Sequence, residues 1–504
     1  MRSSISLLYS EKPEGESGER LSAPLQSVRD AVYNLNIDRM ARHACESDRE
    51  VQYFLDVLCR TPSGTRDAVY RAEILRDFID NPSLLSELMQ LFRSYDNLRA
   101  ENEEMTKEIF RYGVPSSALG LLDCTYEELY INAHFARSVI ACFSEIHELF
   151  SSFGVNSEGL KRMKEFCLSM KESRCIDEVE RAAERFRSES AGSYRFTVKL
   201  SLNEAMEAVR CTVLDITEAS KQDKKGLRDI FRKKSGASKA PSEVDIGTSA
   251  ADNSCSAVTA ALAELSSLFS DIALEIYSVF LGIGEELRFY RVACDMAQKL
   301  ETAGLSYCFP EVAEMEEDCL SARSVYDMLL LTEGKDVSSI VPNDIEMTTN
   351  GVLAIGDNNC GKTSFLRAVG SAVLFAQNGL FVCADYMRVS VRSGIFSHFS
   401  SAEKDFTIGD SAGRFEGEVM DIAKIVDALT PYSLVLLNES FQTTAYREGA
   451  EGMKTILDIL PRIKVRYIFV THMKAIFRLF QPGEVTVLRA AGAQGADKYK
   501  LLKE

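Results

Sequence analysis

From about residue 28 to residue 190, apolar positions recur at three- and four-residue spacing, the pattern of helices that bury one face. "TRDAVYRAEILRDFIDNPSLLSELMQLF" shows it, with Pro82 opening a new helix after Asn81. Pro115 marks another break, and "YEELYINAHFARSVIACFSEIHELFSSFG" stops at Gly154. One further helix is expected over 157–190 and one of unusual length over about 255–302; at 1.5 Å per residue these reach roughly 50 and 70 Å. Between them "SYRFTVKL", 193–200, alternates like a strand. The pattern changes after 350, where the β-rich runs "GVLAIG", "SLVLLN" and "RYIFVTH" alternate with helical stretches. That alternation predicts an α/β domain with a mostly parallel sheet. The expected fold is therefore multidomain, an all-α region followed by an α/β domain, behind a Ser-, Glu- and Gly-rich arm at 1–27.

Composition narrows this picture. The chain has 504 residues, 46% hydrophobic and 26% charged, which suits two to four globular domains. The richest apolar window, "LSSLFSDIALEIYSVFLGIG", is interrupted by Asp271 and Glu275, so no membrane helix is expected. The N-terminus turns polar too soon for a secretory signal, and the expected location is cytoplasmic. Thirteen cysteines without a C-x-x-C pair, beside five histidines, argue against a zinc module or a disulfide framework. The net charge of −17 means that any contact with nucleic acid must come from a local basic patch. One tract qualifies, "KQDKKGLRDIFRKKSGASKA" at 221–240, with eight Lys/Arg against two Asp.

The chemistry concentrates at "GDNNCGKTSF", residues 356–365. Its G-x-x-x-x-G-K-T spacing sits between an apolar strand and a helical pattern, the context of a phosphate loop. Backbone N–H groups over Gly356, Asn358, Asn359, Cys360, Gly361, Lys362, Thr363 and Ser364 would turn onto phosphates, helped by the helix N-terminus. Lys362 is expected to reach the terminal phosphates and the Thr363 hydroxyl to hold Mg²⁺, so a nucleotide with Mg²⁺ is the expected ligand. Such a site needs an acid at the end of a neighbouring strand, and "YSLVLLNES" ends in Asn438–Glu439. Glu439 would orient and deprotonate the attacking water. "RYIFVTH" ends in His472, placed to hydrogen-bond the terminal phosphate.

These residues together resemble the MutS-type ATPases of DNA mismatch repair and recombination. The family's loop reads like G-P-N-M-G-G-K-S-T, and "GDNNCGKTS" keeps the Gly, Asn358 and the G-K-T-S ending. The family's next strand ends D-E before a Gly/Thr-rich loop, here "NESFQTTAYREGAEG"; its switch strand ends A-T-H, here "VTH". Its S-T-F-M-V-E-M segment corresponds to "GRFEGEVM" at 413–420, which keeps Phe415 and Glu418. The resemblance is specific over about 350–480; upstream, "VYNLNIDRM" and "VYRAEILRDF" resemble the helical core of shorter bacterial MutS-like proteins. It implies a helical core at 28–156, lever helices at 157–302 carrying a clamp insertion at 191–254, a connector at 303–349 and a P-loop, ABC-type ATPase domain at 350–504. It also implies Mg²⁺-dependent ATP hydrolysis, a homodimer with composite ATP sites, and a clamp on duplex or branched DNA touched by 221–239.

This chain departs from the family in three ways. Asn438 stands where the family has its Mg²⁺-side aspartate, and Gly413–Arg414 stand where it has Ser-Thr. No segment resembles the mismatch-reading domain with its F-x-E motif. Two rival readings follow: a nucleotide switch that moves a protein partner without DNA, favoured by the acidic charge, and a scaffold with dead catalysis, suggested by Asn438.

Overall fold

The computed structural model describes residues 5–10, 26–60, 64–186, 194–202, 208–218, 248–400, 411–441, 446–492 and 497–504. The basic tract at 221–240 lies outside the described residues. The chain opens with α1 (Gln26–Asn34), α2 (Ile37–Arg42), α3 (Asp48–Leu58) and α4 (Thr65–Asp80). Then come α5 (Pro82–Ile109), α6 (Ala118–Ser152), α7 (Glu158–Lys171) and α8 (Arg174–Ala183). Caps set several boundaries. The Ser47 side chain accepts from Glu50 N at the start of α3, Pro82 is the first residue of α5, and Ser117 accepts from Gly120 N at the start of α6.

The strands β1 (Tyr194–Leu202) and β2 (Ala208–Glu218) pair antiparallel, and α9 (Thr248–Ala303) follows with 56 residues. The strand expected at 193–200 is β1, whereas its partner β2 gave no comparable signal. Two expectations about the long helices change. The helix foreseen over 157–190 is two, because Ser173 leaves helical geometry at ψ 125° between α7 and α8. Within α9, the stretch Val258–Ala303 holds an 18-residue window of mean hydropathy 1.4, apolar and long enough by composition to cross a membrane. One such helix is equally the signature of a core helix, and Phe269, Ile276, Phe280 and Ile283 of α9 are buried.

The chain divides into two compact units. The first takes Met1–Ser3, Ser86–Gly154 and Lys161–Gly284. Its core is aromatic: Phe143 lies 5.9 Å from Phe166 and 5.3 Å from Phe280, and Phe186 lies 6.1 Å from Phe269, centroid to centroid. Two polar tips that enter this core are paired, Tyr95 with Glu145 and Tyr277 with Asp96, each donating over 2.6 Å.

The second unit takes Ser4–Leu85, Val155–Leu160 and Glu285–Glu504. Residues 5–10, within the stretch read as a loose arm, are docked in it. Leu7 and Leu8 are buried, Leu7 N donates to Glu286, and the Leu8 carbonyl accepts from Arg71 Nε over 2.7 Å. An apolar pair with its backbone satisfied has reason to stay.

The remaining elements of this unit are β3 (Glu311–Ala313), β4 (Leu320–Val325), α10 (Leu329–Thr332), β5 (Asn343–Glu346), β6 (Gly351–Ile355), α11 (Lys362–Gln377), β7 (Tyr386–Ser390) and β8 (Ile395–Phe399). They continue with α12 (Ser411–Ala428), β9 (Leu434–Asn438), α13 (Tyr446–Ile459), β10 (Arg466–Thr471), α14 (Lys474–Phe477), β11 (Thr486–Ala490) and β12 (Leu501–Lys503). Two sheets result: six strands ordered β12-β11-β6-β10-β9-β8, and four ordered β3-β7-β4-β5. The six-stranded sheet is parallel except for β12. All five residues of β6 are buried and α11 is buried along most of its length, which explains their unbroken apolar sequences. Leu353, Val435, Leu437 and Phe469 share one core with Met453 and Leu457 of α13 and Ile476 of α14.

Candidate functional site

The loop between β6 and α11 is shaped by residues that leave ordinary backbone geometry. Asn359 (φ 60°) and Gly361 (φ 83°) are left-handed, and Gly361 caps α11. Gly356 faces β11 so closely that an added Cβ would meet the Ala490 Cβ at 2.5 Å. Asp357, Asn358 and Asn359 are exposed, Cys360 and Lys362 are buried, and Thr363 and Ser364 are half-buried.

The other candidates converge at the carboxyl ends of the same strands, where open parallel sheets present ligand sites. The Thr363 hydroxyl donates to Asn438 Oδ1 over 3.0 Å at the end of β9. Lys362 Nζ donates to the Asp357 carbonyl over 2.7 Å and lies 3.6 Å from Glu439 Oε1. Oε2 of Glu439 accepts from His472 N over 3.0 Å and lies 2.8 Å from His472 Nδ1, so an ionised Glu439 places the ring proton on Nδ1. Glu439 itself is left-handed (φ 53°), with its N–H donating to the Val470 carbonyl over 2.8 Å. A residue in that geometry is held by its surroundings, a cost of order 1–3 kcal/mol that tends to gather at functional sites.

The strand carrying Asn438 is not the one beside β6, as expected from the sequence. β10 lies between them, paired with β6 on one side and β9 on the other. This insertion is why His472, at the end of β10, can reach Glu439. Glu418 falls in α12, buried, and accepts from Ser400 Oγ over 2.6 Å. Gly413, Arg414 and Phe415 are the third to fifth residues of the same helix.

Two pairs escaped sequence reasoning. Lys474 Nζ lies 2.9 Å from Asp357 Oδ1, and this hydrogen bond and charge hold the Asp357 carboxyl below the usual carboxylate range. An acid inside a loop expected to bind anions was the signal available for it. His398 Nδ1 and Ser440 Oγ are 2.7 Å apart and both side chains are buried. Burial pushes the His398 imidazole below its ordinary value, against the opposing pull of Glu418 and Asp421. Only the parallel register of β8 on β9 brings this pair together, so no local signal existed.

A buried parallel strand, a glycine loop and a helix opening on Lys and Thr, faced by an amide, a carboxylate and an imidazole, lie together at one edge of an α/β domain. Residues 352–501 match the family model of MutS domain V. The DNA mismatch repair protein MutS of Caldanaerobacter subterraneus subsp. tengcongensis is 28% identical over 215 residues, 40% of this chain and 24% of that protein. The DNA mismatch repair protein MSH3 of Pyricularia oryzae is 35% identical over 128 residues, 25% of this chain and 11% of that protein. The MutS of Fervidobacterium nodosum is 33% identical over 177 residues, 34% of this chain and 20% of that protein. Over residues 352–501 the chain is thus similar to domain V of MutS proteins. The matches span less than a quarter of the length of these relatives.

Proposed function

We propose that this chain is a Mg²⁺-dependent ATPase with an ABC-type nucleotide domain, working as an ATP-driven clamp on duplex or branched DNA in a repair- or recombination-related process. The observation that carries the ATPase part is the convergence of Lys362, Thr363, Asn438, Glu439 and His472 at three strand ends of one sheet. Mg²⁺, when bound, neutralises phosphate charge, and the donor set fits it: a hydroxyl and an amide oxygen 3.0 Å apart, Thr363 and Asn438, would hold it. An amide contributes no charge, so Asn438 gives a weaker metal site than an aspartate would. Backbone N–H groups of the loop and Lys362 bind the phosphates. Glu439 takes the proton of the attacking water, and His472 fixes the carboxylate's orientation through two contacts to one oxygen. The buried neighbourhood of Lys362 and Glu439 excludes bulk water, which strengthens each interaction.

DNA binding rests on the family resemblance and on the basic tract. The partners are then DNA and a second copy of this chain facing it across composite ATP sites. Gel-shift titration of duplex, mismatched and branched DNA, with and without ATP, tests this. With six to eight phosphate contacts, affinity should drop roughly two-thousand- to twenty-thousandfold between about 50 and 200 mM salt. Replacing Arg232, Lys233 and Lys234 with Ser should weaken all duplexes alike and flatten that slope. The net charge of −17 favours one alternative, a nucleotide switch acting on a protein partner; absence of any salt-dependent shift would select it.

A further inference from the structure

The phosphate loop contains a carboxylate. Asp357 directly follows Gly356, and its side chain is 79% exposed at the mouth of the loop. A fixed negative charge there repels any polyphosphate that approaches. Its counter-charge comes from a different strand. Lys474 begins α14, two residues beyond His472, and β10 is the immediate neighbour of β6. The two parallel strands thus end side by side, one leading to Asp357 and the other to Lys474, and the side chains meet at 2.9 Å. Asp357 also holds the loop's own lysine, since its carbonyl accepts from Lys362 Nζ over 2.7 Å. One residue therefore touches two cations, one through its backbone and one through its carboxylate.

Both members of the Asp357–Lys474 pair are largely exposed, so the pair adds little to folding stability. Its effect falls on the charge of the loop. We propose that Lys474 is a positioning residue for the nucleotide site: it neutralises Asp357, and the pair acts as one unit that sets the loop's affinity for a nucleoside triphosphate. The proposal rests on the ATP-binding reading of this loop. Without Lys474, a bare carboxylate faces a doubly charged Mg–ATP at roughly 8 Å, which in a water-like medium costs about fivefold in affinity. Salt shortens the reach of exposed charges, so the penalty shrinks to no more than about twofold near 0.5 M salt.

The test is titration of the full chain with a fluorescent ATP analogue, competed with ATP, at low and high salt. Lys474→Ala should weaken ATP binding about fivefold at low salt and much less at high salt. Asp357→Asn should bind at least as tightly as the parent. The double variant Asp357→Asn/Lys474→Ala should return to within about twofold of the parent, since the charge that Lys474 offsets is gone. A Lys474→Ala protein that binds like the parent overturns the proposal. So does a double variant as weak as Lys474→Ala alone, which would mean that Lys474 acts on the nucleotide directly. Lys362→Ala keeps the two readings apart: binding by the parent that is lost in Lys362→Ala upholds the nucleotide site whatever Lys474 does. A parent that binds no ATP overturns both.

Discussion

Changing Asp318 to Ala removes the electrostatic joint between the two sheets of the second unit. Asp318 precedes β4, Arg392 follows β7, and Arg466 opens β10. One carboxylate serves both cations, with Oδ1 2.5 Å from Arg392 Nη1 and Oδ2 2.6 Å from Arg466 Nε. The Arg392 side chain is fully buried, and burial holds its guanidinium below the ordinary arginine value. Removing one partner of a buried pair costs about 3–5 kcal/mol, because the other charge is left desolvated. Asp318 is also left-handed at φ 48°, where Ala adds roughly 1 kcal/mol. The sum is about 4–6 kcal/mol, a fall of roughly 8–12 °C in melting temperature at about 2 °C per kcal/mol for a large unit. Differential scanning calorimetry of the full chain reads this directly. Asp318→Asn tolerates the same φ and keeps one acceptor, so it separates the backbone cost from the charge. Replacing Asp318 with Asn and Arg392 with Met together should recover much of the loss, since the fully buried charge of Arg392 is gone and Arg466, partly exposed, keeps access to water. A loss below about 1 kcal/mol in Asp318→Ala, or a double variant less stable than Asp318→Asn, refutes the reasoning.

Two further outcomes are expected. Glu439→Gln should bind ATP like the parent and hydrolyse it about 10²- to 10⁴-fold more slowly, because an amide cannot take the proton; single-turnover hydrolysis measures this, and an unchanged rate removes Glu439 from the base role. Burial raises the Asp327 carboxyl to about 6 in the folded chain, from 3.8, against the hydrogen bond donated by Leu329 N. The folded state therefore holds more protons between these values, and stability falls as pH rises from about 4 to about 6, by roughly 3 kcal/mol. Asp327→Asn keeps the acceptor without the charge, so it should stabilise the protein at pH 7.5 and flatten that dependence; urea unfolding from pH 4 to 8 tests it.

The site was legible where chemistry is written in consecutive residues. The loop 356–364, the Asn438–Glu439 end of β9 and His472 at the end of β10 were read from short runs, and the fold brings them together. Strand order was not legible, because a run such as "RYIFVT" pairs equally well with any buried parallel neighbour; the insertion of β10 between β6 and β9 depends on the whole sheet. The His398–Ser440 pair and the Asp318–Arg392–Arg466 joint share that cause, being separated in sequence and joined only by register. β2 escaped because "AVRCTVLDITE" mixes charged residues into a short alternation, and pairing with β1 decides it. Likewise, nothing in the polar opening of the chain marks Leu7–Leu8 as buried, since their partners Arg71 and Glu286 lie far along the sequence.

The most direct test of the account is steady-state ATP hydrolysis by the purified chain and by Lys362→Ala, each with and without Mg²⁺. The account predicts that the parent turns over ATP only when Mg²⁺ is present. Lys362→Ala should lose at least about a hundredfold, because the buried cation aimed into the loop is gone. Turnover by Lys362→Ala at the parent's rate, or parent activity that persists without a divalent cation, would contradict it.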